Sequence, residues 1–111
     1  MPVLVKTLIQ SKQAEAAQTT QYTAISCKTT IDKFTATNTS TGNVTIGVNL
    51  VASGGAAGVD NLIVDSQAIA PGESYTFPEL VGQVLEPGGF ISTIASAATA
   101  LTIRASGREI T

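Results

Sequence analysis

The sequence predicts an all-β protein: an antiparallel β-sandwich of jelly-roll-like type with an N-terminal arm. The first observation is composition, since the 111 residues include no His or Trp, one Cys, and much Thr, Ser, Ala, Gly and Val. The second is spacing, because about eight strand-like runs recur at intervals of about ten residues between Gly, Pro and Asn turns. The third is that no segment has the apolar periodicity of an amphipathic helix.

The first twenty residues are interpreted as a strand followed by a polar arm. Residues 3–9 are apolar enough for a first strand, whereas residues 10–20 (QSKQAEAAQTT) are polar, rich in alanine and poor in large apolar side chains. We expect this second stretch to be an exposed arm or long loop that orders against a neighbour. The chain therefore divides into an N-terminal strand and polar arm over residues 1–20 and a β-sandwich domain over residues 21–111.

Alternation predicts a hairpin in the middle of the chain. The inward-facing side chains are expected to be Val44, Ile46, Val48 and Leu50, and the outward-facing ones Thr45, Gly47 and Asn49. The preceding strand supplies Phe34 and Ala36, and the turn cluster over residues 38–43 separates the two strands.

Two Pro-Gly pairs predict type II turns. Pro71-Gly72 and Pro87-Gly88 each combine a preset φ with a residue that tolerates positive φ, and a strand-like run follows each pair. The pairs repeat only twice, with diverging flanks, so they favour a sandwich over the competing solenoid architecture.

Two further strands and a loop complete the predicted sandwich. Residues 53–58 suit a flexible loop and residues 61–65 a short strand. The last strand alternates Leu101, Ile103 and Ala105 inward, and residues 107–111 are expected to be a polar tail.

Charge and hydropathy argue against several partner classes. The net charge is −2, and the cations never form a run, which does not favour nucleic acid. No stretch approaches the roughly 18 apolar residues of a membrane-spanning helix, and no secretory signal is evident, so we expect no membrane partner. Cys27 has no second cysteine to pair with and is interpreted as a half-buried strand residue.

The candidate chemical groups are a few scattered acids. They are Asp60, Asn61, Asp65, Glu73, Glu79 and Glu86. They are spaced too widely for a calcium-binding loop, and the sequence has no histidine to supply an imidazole ligand for zinc. Glu79 and Glu86 are the pair left open for acid/base work, although both flank turns where acids are ordinarily solvated. We therefore expect no enzyme, no catalytic residue, no metal and no cofactor, with a carboxylate-based enzyme as a distant alternative.

Six segments carry a resemblance to known proteins. They are residues 22–24 (YTA), 31–40 (IDKFTATNTS), 44–53 (VTIGVNLVAS), 70–80 (APGESYTFPEL), 84–92 (VLEPGGFIS) and 101–111 (LTIRASGREIT). Together they resemble a family of small virion proteins of tailed phages, the capsid decoration (cement or stapling) proteins of certain short-tailed enterobacterial phages.

The resemblance implies a structural role. A member of this family would be made in the bacterial host cytoplasm and would lie on the outer capsid surface of the virion, bridging neighbouring major capsid protein subunits. It would also associate with itself, with a dimer favoured and a trimer possible. Because tail, neck and receptor-binding accessory proteins share the same strand and turn repertoire, such an accessory is the alternative function.

The predicted partner-binding residues lie in the first strand. They are Val3, Leu4, Val5, Leu8 and Ile9, whose apolar side chains beside a polar arm suit docking onto another chain. The alternative is that these five residues form the first core strand of the same domain.

Overall fold

The computed structural model describes residues 2–111, which form two antiparallel sheets packed as a sandwich. The strands are β1 (Val3–Gln13), β2 (Thr19–Thr23), β3 (Lys28–Asn38), β4 (Val44–Val51), β5 (Leu62–Ile69), β6 (Ser74–Thr76), β7 (Val84–Leu85), β8 (Phe90–Ala95) and β9 (Leu101–Ile110). A single turn of 3-10 helix over Val59–Asn61 precedes β5. The predicted all-β sandwich is confirmed.

The strand order is that of a jelly roll. The first sheet has the order β1-β9-β3-β6, with β7 also paired to β3, and the second sheet has the order β2-β8-β4-β5. Strands β1 to β4 alternate between the sheets, and the two ends of the chain meet where β1 pairs with β9. This is a double-sheet jelly roll in which β6 and β7 share one edge position.

The predicted central hairpin is wrong, because β3 and β4 belong to opposite sheets. The turn cluster between them instead carries the chain from one sheet to the other, and fully buried Asn38 holds this corner. Its Nδ2 donates to the carbonyl oxygens of Gly42 and Ile69, both at 2.8 Å. Its Oδ1 accepts from the Ser40 amide at 2.8 Å and from the Ser40 hydroxyl at 2.7 Å. One side-chain amide thus supplies the hydrogen bonds that a hairpin turn would have made between backbones.

Both Pro-Gly turns form as predicted. The Glu73 amide donates to the Ala70 carbonyl at 3.0 Å, and the Gly89 amide donates to the Glu86 carbonyl at 2.8 Å. The central glycines, Gly72 and Gly88, have φ of 77° and 88°. Since side chains other than hydrogen strain that region, glycine is required at both positions.

The predicted polar arm is wrong over most of its length. Strand β1 runs on to Gln13, which pairs with Thr102 of β9. Ala14 is buried, and its amide donates to the Leu101 carbonyl at 2.8 Å. Polar side chains are compatible with the second half of β1 because one face of an antiparallel sheet can lie against water. Ala14 is small enough to pack at the end of the core. The division predicted between residues 20 and 21 falls inside β2.

The predicted polar tail is also part of the sandwich. Strand β9 continues to Ile110, with β1 on one side and β3 on the other. Because β9 lies between two strands, the backbone of residues 107–110 forms hydrogen bonds on both sides. These bonds hold the segment in the sheet although its side chains are largely polar.

Alternation fixes the core, which lies between the sheets. The predicted inward residues Leu101, Ile103 and Ala105 are all buried. The largest fully buried side chains are Phe34, Phe77, Ile31, Ile46, Leu80, Ile91, Leu101, Ile103, Val48 and Val51. In β4, Asn49 is buried too although it faces outward, because the loop before β5 folds over it.

Candidate interaction surfaces

The five predicted partner-binding residues fall into two groups. Val3, Leu4 and Val5 are 52%, 56% and 86% exposed, whereas Leu8 and Ile9 are 7% and 2% exposed. Leu8 and Ile9 are therefore core residues, and the prediction that they bind a partner is wrong. The cause is a β-bulge between Thr7 and Ile9 in the pairing with β9, whose extra residue lets two consecutive side chains point inward. We call the exposed group, Val3 to Val5, the N-terminal apolar segment.

The N-terminal apolar segment lies on an uncovered sheet edge. Residues 3–7 pair in unbroken register with β9 on one side, and no other strand within residues 2–111 covers their second side. Such an edge presents backbone donors and acceptors to another chain.

The other three edges of the sandwich carry protective features. Strands β6 and β7 have three and two residues, and β2 is short and bulged. In β5 the pairing with β4 is interrupted next to Ser66, whose φ is 52°. Short strands and bulges are the usual devices that prevent edge pairing, and the first half of β1 has only Lys6 as a protective charge.

A hydrogen-bond network fixes the backbone under this edge. Tyr22 of β2 donates to the Glu109 carboxylate of β9, and its hydroxyl lies 2.7 Å from the Thr29 hydroxyl of β3. The Lys6 ammonium of β1 is 3.3 Å from the same carboxylate. Burial of the ring and the bond to Glu109 raise the pKa of the Tyr22 hydroxyl, so it stays a protonated donor. Four strands from both sheets are thereby connected at the end that carries the apolar segment.

Cys27 belongs to the same end of the core. Its side chain is buried, and its sulfur lies 3.6 Å from the Thr29 hydroxyl. The half-buried strand position predicted from the sequence is therefore wrong in both respects, since Cys27 is more buried and lies just before β3.

A groove of about 420 Å³ lies on the outer face of the second sheet. Gly47 of β4 forms its floor, and Leu62 of β5 and Ile94 of β8 are among its walls. The lining also includes Val59 of the 3-10 turn, which we call the end wall, and the exposed Asp65, which we call the rim. We call this the outer groove.

The two acids considered for catalysis have different partners. Glu79 accepts a hydrogen bond from the Tyr75 hydroxyl at 3.1 Å, whereas Glu86 lies 3.7 Å from the Lys28 ammonium. Across residues 2–111, no group of three or more His, Cys, Asp or Glu side chains is placed to hold a metal ion. No helix in this range is long and apolar enough to cross a membrane.

Comparison with known proteins identifies the fold. No protein-family model matches the sequence, and no curated protein matches it. A chain of the Bacillus endospore appendages, described as a novel family of disulfide-linked pili, superposes with a TM-score of 0.51 at 19% identity, covering 98% of this chain and 88% of that one. A chain of infectious bursal disease virus, Gx strain, superposes with a TM-score of 0.56 at 13% identity, covering 98% of this chain and 33% of that one. This chain thus spans about a third of the viral chain. At these identities the likeness shows a shared fold.

Proposed function

We propose that this protein is a structural component of a phage virion that binds the outside of the icosahedral capsid and staples neighbouring major capsid protein subunits. The observation that carries the proposal is the exposed edge of β1 with its three apolar side chains. The protein would be made in the bacterial host cytoplasm and join the shell as a homo-oligomer, with a dimer favoured over a trimer.

The edge suits the addition of a strand from a capsid subunit. In strand addition, backbone hydrogen bonds supply affinity and alternate side chains supply specificity. Val5 is 86% exposed, so covering it removes nearly a full valine side chain from water. Full burial of such a side chain is worth about 1.5–3 kcal/mol. The edge is already ordered by the Tyr22–Glu109 network, which lowers the entropic cost of binding.

Modest affinity at this edge is enough to stabilise a shell. A protein that binds only the assembled shell stabilises it by about 2.7 kcal/mol per site at a hundredfold excess over Kd. An icosahedral shell repeats the site many times, so the total is large although each contact is weak.

Two further observations support a structural role. The fold is shared with a chain of a virus and with a chain of disulfide-linked pili, which is consistent with a structural protein. The resemblance of residues 22–111 to phage decoration proteins points to the capsid in particular.

The proposal is tested by cosedimentation of the purified protein with phage shells that lack it, with isolated tails as the control. We expect saturable binding to shells and a higher shell melting temperature. Val5→Asp should weaken this binding by at least about tenfold, because an ionised side chain would have to be desolvated in the interface. The matched control is Val81→Asp, which changes another exposed valine, 49% exposed, in the turn just before β7 at the opposite edge of the first sheet.

The outcomes separate the candidate functions. Binding to shells that Val5→Asp weakens and Val81→Asp leaves intact supports the proposal. Binding to tails alone would favour the tail, neck or receptor-binding accessory, and binding to neither would contradict both functions.

A further inference from the structure

We propose that the outer groove is a second docking site for the capsid. The groove accepts an apolar side chain of a capsid subunit, and a Lys or Arg beside that side chain faces the acidic rim. This inference rests on the proposed function and specifies a second contact for it. The shape of the groove, the hydrogen bonds that hold its end wall and the sign of its charge support this assignment.

The shape of the groove depends on a missing side chain. Gly47 pairs with Ile94 in the centre of the second sheet, where the neighbouring strands carry apolar residues. A Cβ at position 47 would meet the Val64 carbonyl oxygen at 3.4 Å and the Ile94 Cγ2 at 3.5 Å, which is ordinary van der Waals contact. The fold therefore has room for a side chain there, and glycine leaves an apolar recess instead. Ile94 and Val59 remain 39% and 88% exposed at its walls.

The end wall of the groove is held in place although it follows a glycine-rich loop. The Asn49 side-chain amide donates to the Gly58 carbonyl at 3.0 Å and to the Asn61 side-chain oxygen at 2.8 Å. The Asn61 side chain in turn donates to the Ala56 carbonyl at 2.9 Å. A buried asparagine of the sheet thus fixes the 3-10 turn that carries Val59, so the recess exists before a partner arrives. A preformed site loses less entropy on binding than a mobile loop would.

The charge of the groove selects the chemistry of its occupant. Asp65 lies on the rim, and Asp60 lies in the 3-10 turn that forms the end wall. Among residues 2–111 neither carboxylate forms a salt bridge, and no Lys or Arg lines the groove. Four cations elsewhere, Lys6, Lys12, Lys28 and Arg108, are already paired with other acids. An apolar recess with an unpaired acidic rim is complementary to an apolar side chain flanked by Lys or Arg.

A second site also accounts for stapling. The β1 edge belongs to the first sheet, and the outer groove lies on the outer face of the second. Two contacts on different sheets allow one molecule to hold two capsid subunits, and a linked second contact raises the overall affinity well above that of either alone.

The experiment measures the affinity of three full-length variants for shells that lack the protein, over a range of salt concentrations. Asp65→Lys reverses the charge of the rim, and Gly47→Val fills the recess. Glu73→Lys is the matched control, because it makes the same charge change at an exposed turn before β6. We expect Asp65→Lys to lower affinity by about tenfold and to weaken its salt dependence, as loss of a charge pair requires. Gly47→Val should lower affinity by a similar factor at every salt concentration, and Glu73→Lys should bind like the parent.

Each outcome supports or overturns the assignment. If the parent binds shells and both groove variants bind equally well, the outer groove is not a docking site, and the proposed function stands without it. If the parent does not bind shells, the proposed function and the capsid as occupant fail together. If the melting temperature shows that Gly47→Val folds poorly, the comparison of Asp65→Lys with Glu73→Lys, both at exposed positions, decides whether the outer groove is a docking site.

Discussion

Replacing Gly107 with alanine should destabilise the sandwich more than the same change at Gly47, the other glycine within a described strand. Gly107 lies in β9, opposite Lys6 of β1 and Ile31 of β3. A Cβ at this position would overlap the Thr30 carbonyl oxygen and lie 2.9 Å from the Leu8 Cδ1. Leu8 is the residue that the β1 bulge turns into the core, so the bulge and the glycine depend on each other.

The expected cost follows from which atoms must move. The Leu8 methyl group can give way, but the Thr30 carbonyl is part of the β3 backbone and moves only if the β3–β9 pairing opens locally. Overpacking of this kind costs about 1–3 kcal/mol when side chains can adjust. Because backbone must move here, we expect the upper end, about 3 kcal/mol. For a domain of this size that loss lowers the melting temperature by roughly 12 °C or more.

Urea denaturation and thermal melting of Gly107→Ala measure this loss. The matched control is Gly42→Ala, because a Cβ at Gly42 would meet nothing within 4 Å. The control should change the free energy of unfolding by less than about 0.5 kcal/mol. A Gly107→Ala protein as stable as the control would refute the close approach of β9 to β3 and the inward position of Leu8.

Three further predictions concern buried polar groups and pH. Tyr22→Phe removes the hydroxyl that donates to Glu109 and should cost about 1–3 kcal/mol of unfolding free energy in urea, since the carboxylate keeps its burial but loses a donor. Asn38→Ala removes the bonds that hold the corner between the sheets and should cost at least about 3 kcal/mol in the same assay. Hydrogen bonds from Lys12 and a neighbouring glutamine lower the pKa of Glu15 from 4.5. Glu15 therefore contributes stability that is present above pH 4.5 and lost as the pH falls through its lower folded value, and Glu15→Gln should remove this part of the acid dependence of the melting temperature.

Matched variants make these predictions specific. Tyr75→Phe removes a hydroxyl bonded only to the exposed Glu79, and it should be nearly neutral. Asn43→Ala changes an exposed asparagine next to the same corner and should also be mild. Equal costs for Tyr22→Phe and Tyr75→Phe, or for the two asparagine variants, would contradict the roles assigned to Tyr22 and Asn38. An unchanged acid dependence in Glu15→Gln would contradict the pairing with Lys12.

Local sequence patterns predicted where the strands lie better than they predicted which strands pair with each other. The alternation in β9 and the two Pro-Gly turns are local properties, and the structure confirms them. Whether β3 and β4 share a sheet depends on long-range pairing, and the turn cluster at residues 38–43 is equally compatible with a hairpin and with a crossing. The burial of Asn38, which decides between them, involves Ile69, and the sequence gives no sign of that contact.

The interaction surfaces were predictable in part. The sequence offered the five apolar residues of the first strand as one group, either docking or core, and it did not predict that they divide. Adjacent Leu8 and Ile9 both point inward because of a bulge, which the apolar pattern does not reveal, since Val3 to Val5 are also consecutive and pair without one. The outer groove had a signal in Gly47, a glycine inside an apolar strand pattern. Its end wall had none, because the contact of Asn49 with Asn61 forms only after the loop folds back over the sheet.

The central claim is that the β1 edge docks onto the shell, and hydrogen exchange of the backbone amides tests it most directly. Exchange of the protein alone is compared with exchange of the protein bound to shells, with attention to residues 3–7. We predict that the amides on alternate residues of this range, which face away from β9, gain protection on binding, because a strand from a capsid subunit would occupy their free side. Saturable binding to shells with unchanged exchange over residues 3–7 would contradict the claim and would place the contact elsewhere on the sandwich.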